Sequence, residues 1–325
     1  MTSLSPPLLD QIARRSPGIC LYGFAPPKRS TTSDQLSQIA SQQVERLAAL
    51  DIDGVIIYDI QDEAQRTAEP RPFPFLPTVA PEEYASTHLG ALALPKVVYR
   101  CVAGDTRESF VRWLRAEPSA PVVRVLVGAP SRNAVVGLGL RDAYALVAEH
   151  APQLTLGGIA IAERHAHGLD EHERILSKSA AGCRFFVTQA VYDITSTLSL
   201  LSDYALALRA SGGAPLPLIL TFSPCGSVKT LEFMKWLGIS FPRWLENELR
   251  FSADPLATSL ELCERIFLEV WGYARSKGIP LGVNVESVSI RKTEIDASLH
   301  LVKRLRAHMR AALAADTGSV FNRDR

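Results

Sequence analysis

The stretch LGGIAIAERHAHGLDEHERILSKSAAGCRFFVTQA, residues 156–190, reads as strand, helix, strand. Apolar runs of strand length open and close it, at 156–162 and 183–190. Between them lies a helical segment whose Asp170 and Glu173 have capping-box spacing. Gly182 stands where a helix stops. Two nearly all-apolar strands joined by a helix are the mark of buried parallel pairing, with helices covering the outer face.

The same unit recurs along the chain. Further strands are expected at 18–24 (GICLYGF), 54–60 (GVIIYDI), 96–102 (KVVYRCV), 122–128 (VVRVLVG), 217–222 (PLILTF) and 280–286 (PLGVNVE). Helical periodicity fills SDQLSQIASQQVERLAAL and RDAYALVAEHA. Eight βα units favour a closed (β/α)8 TIM barrel over an open sheet. Extra helices are expected between strands seven and eight, and a last helix from about Arg291 to Ala314. The reading is one domain over 1–325, with short flexible termini at about 1–15 and 316–325.

Of the 325 residues, 47% are hydrophobic and 21% charged, which suits a large core. The formal charge of +1 gives no footprint for nucleic acid. The five cysteines are scattered and form no C-x-x-C, which points to reduced thiols in a cytoplasmic protein. The N-terminal MTSLSPPLLDQIARRSPG holds no uninterrupted apolar stretch of signal-peptide length, and no run of ~18 apolar residues is present to span a membrane.

In a barrel, chemistry sits where the strands end at the C-terminal face. The polar residues expected there are Tyr58, Asp59, Gln61 and Asp62, then Arg132 and Asn133, then Glu163, Arg164 and His165. Gln189, Tyr192 and Asp193 follow strand six, and Asn284, Glu286, Ser287 and Ser289 end strand eight. Gln189 leaves an apolar run, so its amide is placed to read a heterocycle edge through paired hydrogen bonds or to bond the neighbouring strand's backbone. Glu286 should lie beside Gly23, because strand eight closes on strand one. ERHAHGLDEHE holds three histidines, but its spacing matches no standard metal pattern, and no metal is expected.

The block from Gly157 to Asp193 resembles the central block of methylenetetrahydrofolate reductases, through Glu163, His165, Lys178, Ala181-Gly182, Thr188-Gln189 and Asp193. FAPPK after strand one and SPCGSVKTLEFMKWLGISFPRWLENEL after strand seven are similar to further segments of that family. The resemblance implies an oxidoreductase interconverting 5,10-methylene- and 5-methyltetrahydrofolate with NAD(P)H, NADH favoured. The alternative is a folate-binding paralogue or accessory protein without hydride transfer.

The resemblance also implies that Gln189 holds the pterin, with Asp193 beyond it; Tyr58, outside the family's pattern, is a further candidate to stack on a ring of the folate. Glu163, His165 and Lys178 would lie along the nucleotide cofactor. The sequence departs from the family at Gly23, where strand one should carry a catalytic glutamate, and at Ala129, at YDIQD and at Ile161. These departures fall on flavin contacts, so FAD is expected to be held weakly or not at all. With Gly23 in place, the proton donor is expected to be Glu286, with Asp59 as second choice. The expected partner is the folate substrate; association with a second copy is left open.

Overall fold

The structure, a computed structural model, describes residues 7–63, 69–116, 123–129 and 134–321. Its eight strands are β1 (Cys20–Phe24), β2 (Gly54–Ile57), β3 (Lys96–Cys101), β4 (Val123–Val127), β5 (Thr155–Ala160), β6 (Cys183–Ala190), β7 (Leu218–Phe222) and β8 (Leu281–Glu286). All neighbours are parallel, and β1 pairs with both β2 and β8, so the sheet closes in chain order. This is the expected (β/α)8 TIM barrel.

The helices are α1 (Leu8–Ala13), α2 (Ser33–Ala48), α3 (Pro81–Glu83, running into a π-turn at Tyr84–His88), α4 (Arg107–Ala116), α5 (Leu140–His150) and α6 (Ala162–Ala166). They continue with α7 (Glu171–Ala180), α8 (Ile194–Ser211), α9 (Val228–Trp236), α10 (Arg243–Phe251), α11 (Pro255–Ser276) and α12 (Lys292–Phe321). The three helices α9 to α11 fill the long interval between β7 and β8. No helix among the described residues is long and apolar enough to cross a membrane.

Alternation along the strands divides the core in two. Leu21, Ile56, Val97, Val125, Phe185, Val187 and Ile219 point inward and fill the barrel. Their neighbours Tyr22, Val55, Ile57, Val98 and Phe186 point outward against the helices. Gly157 on β5 is needed for close packing: a Cβ there would stand 2.4 Å from the ring of Phe185 on β6.

Three expectations are corrected. Residues 8–13, placed in a flexible terminus, form α1, whose Leu8 and Ile12 are buried with the inner core at the end where the strands begin. Asp170 does not cap α7, because its backbone is left-handed (φ 45°) and its side chain makes no cap hydrogen bond. The last helix runs on past Ala314 to Phe321. Gly182, with φ +109°, does end α7 as its position suggests.

Candidate functional site

The strand ends and following loops enclose a cavity of about 810 Å³ at the C-terminal mouth. That volume is in the range of small-molecule sites. Tyr58, Asp59, Lys178, Gln189, Thr221 and Glu286 supply much of its polar lining. Leu126, Leu140, Ile159, Leu237 and Ile239 are among the apolar residues of its wall.

Glu286 ends β8 in register with Gly23 of β1, as barrel closure requires. The space left by the absent strand-one side chain is occupied by Tyr58. A Cβ on Gly23 would lie 2.7 Å from the Tyr58 hydroxyl oxygen and 3.0 Å from Asn284 Oδ1. Asn284 Nδ2 donates to the Tyr58 hydroxyl at 2.8 Å and lies 3.3 Å from Thr221 Oγ1. The Tyr58 hydroxyl in turn hydrogen-bonds the Glu286 carboxyl. Tyr99 packs edge-on against Tyr58, with ring centroids 4.9 Å apart.

Burial pushes the Glu286 carboxyl up to about 7, and the hydrogen bond from Tyr58 only partly opposes this. Burial, and then the charge of Glu286, raises Tyr58 well above its ordinary value, so the phenol keeps its proton and donates. The result is a carboxyl that holds or releases a proton near neutrality, oriented by a phenol that Asn284 fixes.

Asp59 also lines the cavity, but both of its oxygens are engaged. Oδ2 accepts from the backbone N–H of Cys101 at 2.7 Å, and Oδ1 from Gln61 Nε2 at 2.7 Å. It ties the end of β2 to β3. Burial raises its pKa, and those two hydrogen bonds counter the rise. Of the two candidate acids, Glu286 is the one whose hydrogen bonding leaves it freer to exchange a proton.

Gln189 meets neither a neighbouring strand's backbone nor an open heterocycle edge with both of its amide atoms free. Its Nε2 donates to the Leu237 carbonyl at 2.7 Å, just beyond α9, while its Oε1 is buried without a partner. One acceptor therefore remains for a ligand, not a donor–acceptor pair. Lys178, from α7, reaches the cavity and donates to the Ile159 carbonyl at 2.5 Å. Burial pushes its ammonium below the ordinary lysine value.

The other sequence candidates lie elsewhere. Asp193 caps α8, accepting from the Ser196 backbone N–H at 3.2 Å and from its hydroxyl, and does not line the cavity. Glu163 accepts from the Ser240 N–H at 3.4 Å, and His165 pairs with Asp203 on α8 at 3.0 Å; neither lines the cavity. Their neighbour Arg164 does. Arg132 and Asn133 lie outside the described residues. Thr221 and Tyr99 escaped the sequence reading, although each is a polar interruption in an apolar strand run.

No protein-family model matches the chain, and no curated protein does. Among solved structures, a xylanase from Paenibacillus barcinonensis aligns at TM-score 0.45 and 12% identity, over 89% of this chain and 88% of that one. That likeness is too slight to bear on function. A protein from Clostridium thermocellum that binds two copies of 5-methyl-5,6,7,8-tetrahydrofolic acid aligns at TM-score 0.82 and 43% identity. The alignment covers 92% of this chain and 99% of that one, so the chain belongs to the same family as this Clostridium thermocellum protein.

Proposed function

We propose that this protein binds a reduced folate in the cavity and interconverts 5,10-methylene- and 5-methyltetrahydrofolate, with NAD(P)H, NADH favoured, as direct hydride donor. The observation that carries the reading is the placement of Glu286 beside Gly23 at the mouth of a cavity of about 810 Å³, where burial raises its carboxyl. The family relative's binding of 5-methyltetrahydrofolate supports the ligand class.

In the reductive direction one proton opens the imidazolidine ring at N10 and leaves a 5-iminium carbon. Hydride from the dihydronicotinamide reduces that carbon to a methyl group and leaves NAD(P)⁺. Glu286 is placed to give the proton, with Tyr58 holding its orientation. The Gln189 oxygen would accept from an N–H of the pterin edge, which supplies the partner it lacks. Lys178 and Arg164 are cations on the opposite wall, suited to the phosphates of a dinucleotide. Holding the two rings together contributes through proximity, so the strand-one glutamate is dispensable once another acid reaches the site.

The residues present do not fit a resident flavin. Where the resemblance would place polar contacts to its ring, the end of β4 offers Gly128 and Ala129, and the β2 side offers the acids Asp59 and Glu63. Protein purified without added FAD is therefore expected to be colourless, and to lower nicotinamide absorbance when mixed with NADH and methylenetetrahydrofolate. A stoichiometric flavin spectrum would overturn the direct route. Folate binding with no loss of nicotinamide absorbance would favour a folate-binding protein without hydride chemistry, which the relative's ligand also fits.

Gln189→Ala is expected to weaken folate binding by ~1–3 kcal/mol, the cost of a lost partner for a buried polar group. It also frees the Leu237 carbonyl, so stability should fall by about 1 kcal/mol. Titration with 5-methyltetrahydrofolate reads the first effect separately from the second. Unchanged affinity would confine Gln189 to its bond with Leu237.

A further inference from the structure

Beside the cavity wall, α6, α7 and α8 bring His165, His172 and Asp203 together. One nitrogen of each ring and one carboxylate oxygen all lie within 4.8 Å of one another. The two rings meet edge-on with centroids 5.3 Å apart, and His165 Nε2 stands 3.0 Å from Asp203 Oδ2. That hydrogen bond accounts for one nitrogen of His165, and His172 Nε2 stands 3.5 Å from Glu173 Oε1. Nδ1 of each ring is buried without a partner. The side chains of His165 and His172 are 8% and 16% exposed, whereas Asp203 is 47% exposed and opens the cluster to solvent. Buried polar atoms in a native fold are expected to have partners, and an orphaned nitrogen on each of two rings 5.3 Å apart, with a carboxylate in reach, suits a cation better than a packing role.

We propose that His165, His172 and Asp203 form a binding site for a divalent transition-metal ion of the zinc class. Two imidazoles and a carboxylate are borderline ligands that suit zinc, whereas calcium and magnesium prefer all-oxygen sets. Side-chain rotations bring the three atoms onto bonds of ~2.0–2.2 Å, with the exposed side left for water. The sequence hides this site, because Asp203 comes from a different helix and the histidine spacing alone fits no metal pattern. Bound there, the ion pins α6 and α7 to α8 and braces the wall that carries Arg164 and Leu169 into the cavity.

The test uses chelator-treated full-length protein, titrated with Zn²⁺ and with Co²⁺ as a spectroscopic substitute. Expected results are an equimolar amount of zinc retained through gel filtration and visible d–d absorption with cobalt. Affinity should fall at least ~10-fold in both His172→Ala and Asp203→Asn. Asp203 is half-exposed, so its conservative variant separates ligation from folding, and circular dichroism checks both variants. Failure of the parent protein to retain zinc overturns the proposal, as does retention with unchanged affinity in both variants. Neither outcome depends on whether the cavity binds folate.

Discussion

Glu286→Gln is expected to lower turnover at least ~10²-fold, the usual contribution of a general acid, with folate affinity near the parent value. The substitution is nearly isosteric and leaves Tyr58 a hydrogen-bond partner, so the loss isolates the proton. Turnover of the parent should fall as pH rises through about 7, where the carboxyl loses the proton it must donate. The residual activity of the variant should lack that limb. Stability gives an independent reading. The carboxyl is raised from 4.5 to about 7 on folding, so the folded state holds its proton more tightly than the unfolded chain. The parent therefore loses stability as pH rises across that interval, by up to ~3 kcal/mol, and the loss persists above it. The glutamine variant has no such charge to bury and should melt higher than the parent above pH 7, but not below 4.5. Near-parent turnover in Glu286→Gln, together with an inactive Asp59→Asn, would instead put the proton on β2.

The barrel was legible because each strand is an apolar run with a helix behind it, and the structure has a strand in every expected run. The neighbourhood of Gly23 and Glu286 followed from closure alone, since the first and last strands of a parallel barrel must pair. Which side chain fills the space above Gly23 did not follow. It depends on the rotamer of Tyr58, fixed by Asn284 three-quarters of the barrel away in sequence and adjacent in space. The division of Gln189 between Leu237 and the cavity was hidden for the same reason, because the carbonyl it meets lies just beyond α9, the first of the three helices inserted after β7. Local signals misled where tertiary context overrode them: Asp170 has a capping residue's chemistry but a left-handed backbone, and Asp193 serves its own helix and not the cavity.

Arg306→Met is expected to cost ~3–5 kcal/mol of stability while leaving activity per folded molecule near the parent value. Arg306 lies on α12 at the end of the barrel opposite the cavity. Its Nη1 donates to the Gly18 carbonyl at 2.8 Å and to Asp53 Oδ2 at 3.0 Å, and Nη2 donates to Asp53 Oδ1 at 3.1 Å. Asp53 Oδ2 also accepts from the backbone N–H of Cys20, so one ion pair locks the start of β1, the approach to β2 and the final helix. Both side chains are nearly inaccessible, at 8% and 3% exposed. Methionine keeps most of the apolar stem's packing but leaves the Asp53 charge buried with only part of its hydrogen bonding. Adding Asp53→Asn to Arg306→Met removes that charge and should recover much of the loss, which a double-mutant cycle in denaturant measures directly. The midpoint should move with the slope unchanged, because the native fold is the same. A loss below about 1 kcal/mol would show that α12 is held by its apolar face alone. The contrast with Glu286 is a physical division of the barrel: the charge at the strand starts is paired and holds the fold, and the carboxyl at the strand ends is held by burial above its ordinary pKa.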